Sequence, residues 1–208
     1  MKKKFSNRRG GFSLIEVLIV IVIAASVVIV VSNFGTNISG LNGLITNELR
    51  SKADISQTLS IMANEIRSAE PSAAGAYPIY AAASSSFTFY TSAHQDGVID
   101  QITYYLASST LWRAFIAPTG TPATYPTSSQ VINDEVDNVS LVSSSTPLFS
   151  YYGASYVGSG SPLSSPVAVA AVRLVGITFS SQVNKNPNQP ASPQYFSTII
   201  DIRNLDSN

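Results

Sequence analysis

Residues 12–31 read FSLIEVLIVIVIAASVVIVV, a run in which only Ser13, Glu16 and Ser26 are polar. From Leu14 to Val31 is 18 residues. As a helix rising about 1.5 Å per residue, this just spans the ~30 Å hydrocarbon core of a bilayer. Immediately before it lie Lys2, Lys3, Lys4, Arg8 and Arg9, with no acid among the first eleven residues. A basic cluster flanking an apolar helix holds its N-terminus in the cytoplasm and sends the rest of the chain outside. The 208 residues carry 12 basic and 12 acidic side chains, but without this head the remainder has seven basic residues against twelve acidic. Formal neutrality thus hides a basic head on an acidic body.

Composition narrows the classes of function. Hydrophobic residues make up 45% of the chain, enough for a core, and charged residues only 12%, about half the usual quarter. Serine and threonine, 33 and 14 in number, supply the polar surface, which suits an exported protein. A general nucleic-acid surface needs a basic excess that the body lacks. With no cysteine, there can be no disulfide framework, thiolate metal site or cysteine nucleophile. At this length one domain, or at most two small ones, is expected.

Three readings compete for the apolar run. A cleaved secretory signal would use the small residues Ala24-Ala25-Ser26, yet the run continues through Val27–Val31 and no A-x-A site follows. An uncleaved signal anchor is the simplest alternative. Neither explains Glu16, because a carboxylate in the hydrocarbon costs about 2.5–3.5 kcal/mol near the centre and less near the edge. An ionisable residue there calls for a partner.

The third reading supplies one. Arg9-Gly10-Gly11 followed by Phe12-Ser13-Leu14-Ile15-Glu16-Val17-Leu18-Ile19 resembles the class III leader and mature start of type IV prepilins and pseudopilins. The resemblance implies cleavage by a prepilin peptidase between Gly11 and Phe12, N-methylation of Phe12, and a role for Glu16 in assembly. The chemistry is coherent. Cleavage turns the Phe12 amide into an α-amino cation, which a neighbouring subunit's Glu16 can neutralise in a low dielectric. The same cut removes five cytoplasmic charges that resist extraction from the membrane.

Residues 32–43, SNFGTNISGLNG, place Gly35, Gly40 and Gly43 where each weakens a helix by up to about 1 kcal/mol relative to alanine. This is either a plain linker or a stretch that melts between two helical halves, as in filaments of the similar family. Helical period returns at Leu41, Leu44/Ile45, Leu49, Ile55, Leu59, Met62 and Ile66, with Glu48, Arg50, Lys52, Asp54, Glu65 and Arg67 on the other faces. Pro71 places the helix end near Ala69 or Glu70. Strands are expected in 84–91, 98–106, 111–116, 131–142, 148–152, 167–179 and 195–203, with 98–116 as a hairpin across Ala107–Thr110. Phe196, Thr198, Ile200 and Ile202 share one face of the last. Loops are expected at 153–166 and 180–193. One long helix followed only by strands is an α+β fold with the helix on an antiparallel sheet.

The segments read as 1–11, a cleaved basic leader; 12–32, a transmembrane and filament-core helix; 33–70, its amphipathic continuation; and 71–208, a β-rich body. Ile61–Ala69, the Asp100–Leu106 and Leu111–Arg113 strands, Val172-Arg173-Leu174 and Ile202-Arg203-Asn204 resemble corresponding parts of J-type minor pseudopilins and W-type minor pilins. That resemblance implies a non-enzymatic subunit that primes or caps a filament with other minor and major subunits, for type II secretion, a pilus or DNA uptake. It implies a single-pass protein of the cytoplasmic membrane with its body outside, later incorporated in the filament, and no small-molecule substrate, nucleic acid, cofactor or metal. The rival class is a signal-anchored extracellular binding or adhesion domain.

Other residues carry weaker chemistry. His94, the single histidine, lies in a polar turn, and no G-x-S-x-G elbow or phosphate loop accompanies it. Asp134, Glu135 and Asp137 form the densest acidic cluster and could offer oxygens to Ca²⁺, without the spacing of an EF-hand. Trp112 and Arg113 could form a subunit contact. Tyr104, Tyr105, Tyr151, Tyr152 and Tyr156 suit a sheet face or an interface, with core packing the plainer reading. Asn37-Ile38-Ser39 and Asn138-Val139-Ser140 match the glycosylation pattern.

Overall fold

The computed structural model describes residues 13–94, 96–182 and 193–205, with residues 33–49 described through their backbone alone. The chain divides into two compact units, Met1–Asn47 and Glu48–Asn208. A single helix, α1, covers Leu14–Arg67 and runs through the glycine-rich stretch. Its first part, Leu14–Ser32, has a mean hydropathy of 3.3 and no residue buried inside the molecule. Leu41, Leu44, Ile45 and Leu49 lie outside the residues whose side chains are described.

In the second unit the expected stripe is the helix's contribution to the core. Ile55, Met62 and Ile66 are buried and Leu59 packs against them. The helix stops at Arg67, slightly before the expected end at Ala69 or Glu70. Ser68 turns its hydroxyl back onto the carbonyls of Asn64 and Glu65, and the Glu70 amide leaves the helix to bond the Tyr90 carbonyl on a strand. Competition from a serine side chain and from the sheet ends the helix before proline does.

The body is antiparallel, but it is two sheets rather than one. The first has the order β1-β2-β3-β4-β5, formed by Ile79–Ala82, Ser86–Thr91, Asp100–Ala107, Thr110–Ile116 and Val131–Asp137. The second contains β6 (Val139–Ser140), β7 (Phe149–Tyr152), β8 (Leu174–Gln182) and β9 (Pro193–Asp201). There β8 pairs with β6 and β7 at its two ends on one side and with β9 along the other. The β3–β4 hairpin turns at Ser108 and Ser109, both with positive φ, 52° and 62°. Positive φ at both central residues is the primed turn that matches strand twist.

The structure departs from the expected strands at three places. The stretch 131–142 is not one strand: Asn138, at φ 56°, breaks it and sends β5 and β6 to different sheets. The stretch 167–179 opens with a 3₁₀ turn at Val169–Ala171, and its strand extends past the expected loop boundary to Gln182. Ile202 is buried but lies just beyond the end of β9. β1 was not foreseen, since its four residues carry little pattern and Pro78 stands directly before them. Phe87, Phe89, Tyr104, Phe149 and Phe179 fill the core, with Phe87 ringed by Phe89, Phe149 and Tyr151. The Tyr151 hydroxyl donates to the Ala83 carbonyl at 2.7 Å, so a strand of the second sheet is tied to the edge of the first.

Candidate functional site: the N-terminal segment and the helix–sheet ion pair

Gly11 and Phe12 lie outside the described residues. Ser13 precedes the helix, and its carbonyl accepts from the amides of Glu16 and Val17 at 3.0 and 3.2 Å. Glu16 is therefore in the first helical turn. A carboxylate there is favoured by the unpaired amides and positive end of the helix. Its side chain is exposed, as are those of Leu14, Ile15, Val17, Leu18 and the residues that follow. The segment thus presents one carboxylate on an otherwise apolar rod whose surface nothing within the described residues covers.

The second charged feature is buried. Glu65, which the helical period places off the apolar stripe, turns toward the first sheet. Arg113 grips it with two nitrogens: Nη2 donates to Oε1 at 2.6 Å and Nε to Oε2 at 3.2 Å. The Tyr104 hydroxyl donates to Oε2 at 2.6 Å. Only 11% and 12% of the Arg113 and Glu65 side chains remain exposed, so the pair is largely out of water. Burial, and then the Glu65 carboxylate beside it, push the Tyr104 phenol well above the usual tyrosine range and keep it a donor. Cross-strand pairing puts Tyr104 opposite Arg113 on adjacent strands, so both reach the same carboxylate. Arg113, which the sequence offered as one candidate for a subunit contact, is an internal clamp. Trp112 points to the opposite face and donates its indole N–H to the Ala107 carbonyl at 3.2 Å.

Of the acidic cluster, Asp134 and Asp137 are exposed and Glu135 is half-buried. Burial raises the Glu135 carboxyl above the ordinary glutamate range, against the lowering pull of the Arg113 cation; Glu65 and Asp134 add to the rise. Glu135 and Asp137 line an open cavity of about 260 Å³ together with Asp54 of the helix. Among the described residues no group of three or more His, Cys, Asp or Glu side chains is placed to hold a metal ion. A folded-state pKa that is raised means the native protein binds this proton more tightly than the unfolded chain. That contribution to stability is complete below the ordinary glutamate pKa and is lost as pH rises through the raised value. Glu135→Gln should therefore melt higher than the wild type at neutral pH, and the difference should close on acidification. Melting curves between about pH 4 and pH 8 test this, and equal curves at neutral pH would contradict it.

His94 sits in the expected turn with its Nδ1 2.9 Å from the buried Asp100 carboxylate. A His–carboxylate contact of this kind also occurs in hydrolytic triads, where a nucleophile hydroxyl must meet the other side of the ring. No described serine or threonine hydroxyl bonds to His94, whose ring instead meets Phe115 edge-on at 5.4 Å. Tyr104 and Tyr151 are core, while Tyr105, Tyr152 and Tyr156 are partly covered. Asn138 is exposed and the side chain of Asn37 lies outside those described.

An apolar N-terminal helix joined to an antiparallel β body defines an α+β protein of pilin-like layout, and among the described residues one helix is long and apolar enough to cross a membrane. Residues 6–32 match the family model for the prokaryotic N-terminal methylation motif, the type IV prepilin-like leader. The match supports a type IV pilin-like protein and covers 27 of the 208 residues, none of them in the body. Comparison with curated proteins finds no match.

Proposed function

We propose that this chain is a minor pilin or minor pseudopilin, a non-enzymatic subunit that primes or caps a type IV pilus-like filament. The observation that carries the reading is the position of the methylation motif, residues 6–32, at the head of an exposed apolar helix. The precursor sits in the cytoplasmic membrane with its body outside. A prepilin peptidase cuts between Gly11 and Phe12 and methylates the Phe12 amine. The freed helix then joins other minor and major subunits, with Glu16 opposite a neighbour's Phe12 amine. The spaced apolar patterns of the body favour the J-type pseudopilin and W-type pilin branch. The filament serves secretion, a pilus or DNA uptake.

An intact mass of the protein extracted from membranes of a host that carries a prepilin peptidase tests this directly. The expected species lacks residues 1–11 and has gained one methyl group. Retention of residues 1–11 would favour the signal-anchored binding domain. Gly11→Val should block the cut, because a side chain obstructs the close, extended fit of a backbone in a protease cleft. The variant precursor should still insert, as its basic head and apolar run are unchanged. Normal shortening of Gly11→Val would overturn the assigned cleavage site.

A further inference from the structure

The nine-residue strand β9 ends the second sheet, and among the described residues it pairs with β8 alone. Sheet edges are normally guarded, because unpaired N–H and C=O groups are a template for another strand. The other edges here show such guards. β1 is four residues long, with a register shift after Ile79. β5 carries Asp134, Glu135 and Asp137, with a shift against β4. The outer edge of β7 is occupied: the Phe149 amide bonds the Ser84 carbonyl, and the Tyr151 carbonyl accepts from Leu163. β9 keeps an uninterrupted nine-pair register with β8 and has no charge from Gln194 to Ile200.

The phase of the strand shows which groups face outward. The Ile202 amide, just past the end of β9, bonds the Arg173 carbonyl on the β8 side. Alternation then directs the even-numbered groups of β9 to β8 and those of Tyr195, Ser197 and Ile199 to the open edge. The side chains of Tyr195 and Ile199 are also exposed, 67% and 46%.

We infer that β9 pairs edge to edge with β9 of a second copy of this chain, antiparallel about Ser197, joining two second sheets into one. The strand is self-complementary in this register. Tyr195 lies opposite the second copy's Ile199, an aromatic against a β-branched residue on one face, a favourable cross-strand pair. Ser197 meets its own equivalent. Asp201 falls opposite Pro193, so no like charges are opposed. Tyr195, Ser197 and Ile199 of each copy exchange main-chain hydrogen bonds with those of the other. The pairing does not depend on leader cleavage, so it stands or falls separately from the filament reading.

The chain has no cysteine, so one introduced thiol is a clean probe. Directly paired residues in an antiparallel ladder have Cα atoms about 5.5 Å apart when hydrogen-bonded, within the range a disulfide spans. Full-length Ser197→Cys in detergent and in native membranes, oxidised or treated with a short bis-maleimide, should give predominantly covalent homodimer. Val157→Cys, at a residue 87% exposed in the loop that follows β7, should give little. In the Ser197→Cys background, Ile199→Pro removes an outward N–H without touching a bond to β8 and should abolish the dimer. Tyr195→Lys should do the same through its charge and leave the melting temperature unchanged. The inference fails if Ser197→Cys dimerises no more than Val157→Cys, or if neither second substitution reduces the dimer. Crosslinking of Ser197→Cys to a different polypeptide instead of itself overturns it equally.

Discussion

Replacing Arg113 with methionine should lower the stability of the body by roughly 3–5 kcal/mol, because it strands the Glu65 carboxylate in a site nearly closed to water. For a body of this size that is a fall in melting temperature on the order of 10 °C. The loss comes mainly from the orphaned charge, not from the value of the pair. Removing both charges, with Glu65→Leu and Arg113→Met together, should therefore recover most of it. A remaining deficit of about 1–3 kcal/mol is expected from the Tyr104 hydroxyl, which then lacks its acceptor. Adding Tyr104→Phe should remove that deficit. Unfolding of the detergent-solubilised full chain gives all four values in one cycle. A double variant as unstable as Arg113→Met alone would mean that the ion pair itself, and not the burial of an unpaired charge, sets the effect. The clamp also fixes where helix and sheet meet, so the double variant should show broadened side-chain signals even when its stability is regained.

The second large effect is expected at Glu16, and it follows from the proposed assembly. If its carboxylate neutralises a neighbour's Phe12 amine, Glu16→Ala leaves a buried, unpaired cation at the contact. A broken buried pair costs roughly 3–5 kcal/mol, less where water reaches the membrane edge. As a lone monomer in the bilayer the variant should insert at least as well as the wild type, because an expensive group has gone. Glu16→Ala should thus be cut and methylated normally, accumulate in the membrane, and fail to crosslink or co-purify with its partner subunits. Glu16→Asp should be intermediate, keeping the charge and losing reach. The position of Glu16 in the first helical turn offers a purely local role, worth about 0.3–1 kcal/mol through the helix dipole. That role predicts a slightly frayed helix and unchanged association. Wild-type levels of association in processed Glu16→Ala would remove the assembly role.

What one dimension can carry was legible without coordinates. An apolar run, a basic head and a glycine–phenylalanine junction are local facts, and residues 6–32 match the methylation motif on those facts alone. The stripe Ile55, Leu59, Met62 and Ile66 and the β3–β4 hairpin were equally readable, since each follows from a period within a few turns or pleats. The tertiary structure alone decided the rest. Glu65 has a polar position on the helix, and nothing nearby in the chain reveals that Arg113, 48 residues on, will draw it inward. A buried charge is defined by its partner, and the partner arrives by folding. The break at Asn138 is only half hidden: Asp137-Asn138 is a turn-prone pair that tolerates a positive φ, but it is the hydrogen-bond partners on β4 and β8 that assign the halves of 131–142 to different sheets. The open edge of β9 belongs to this second kind of knowledge too. Alternation told which side chains of 195–203 face the core, but only the pairing with β8 shows which main-chain groups are left facing outward, because edge and centre differ in neighbours and not in period.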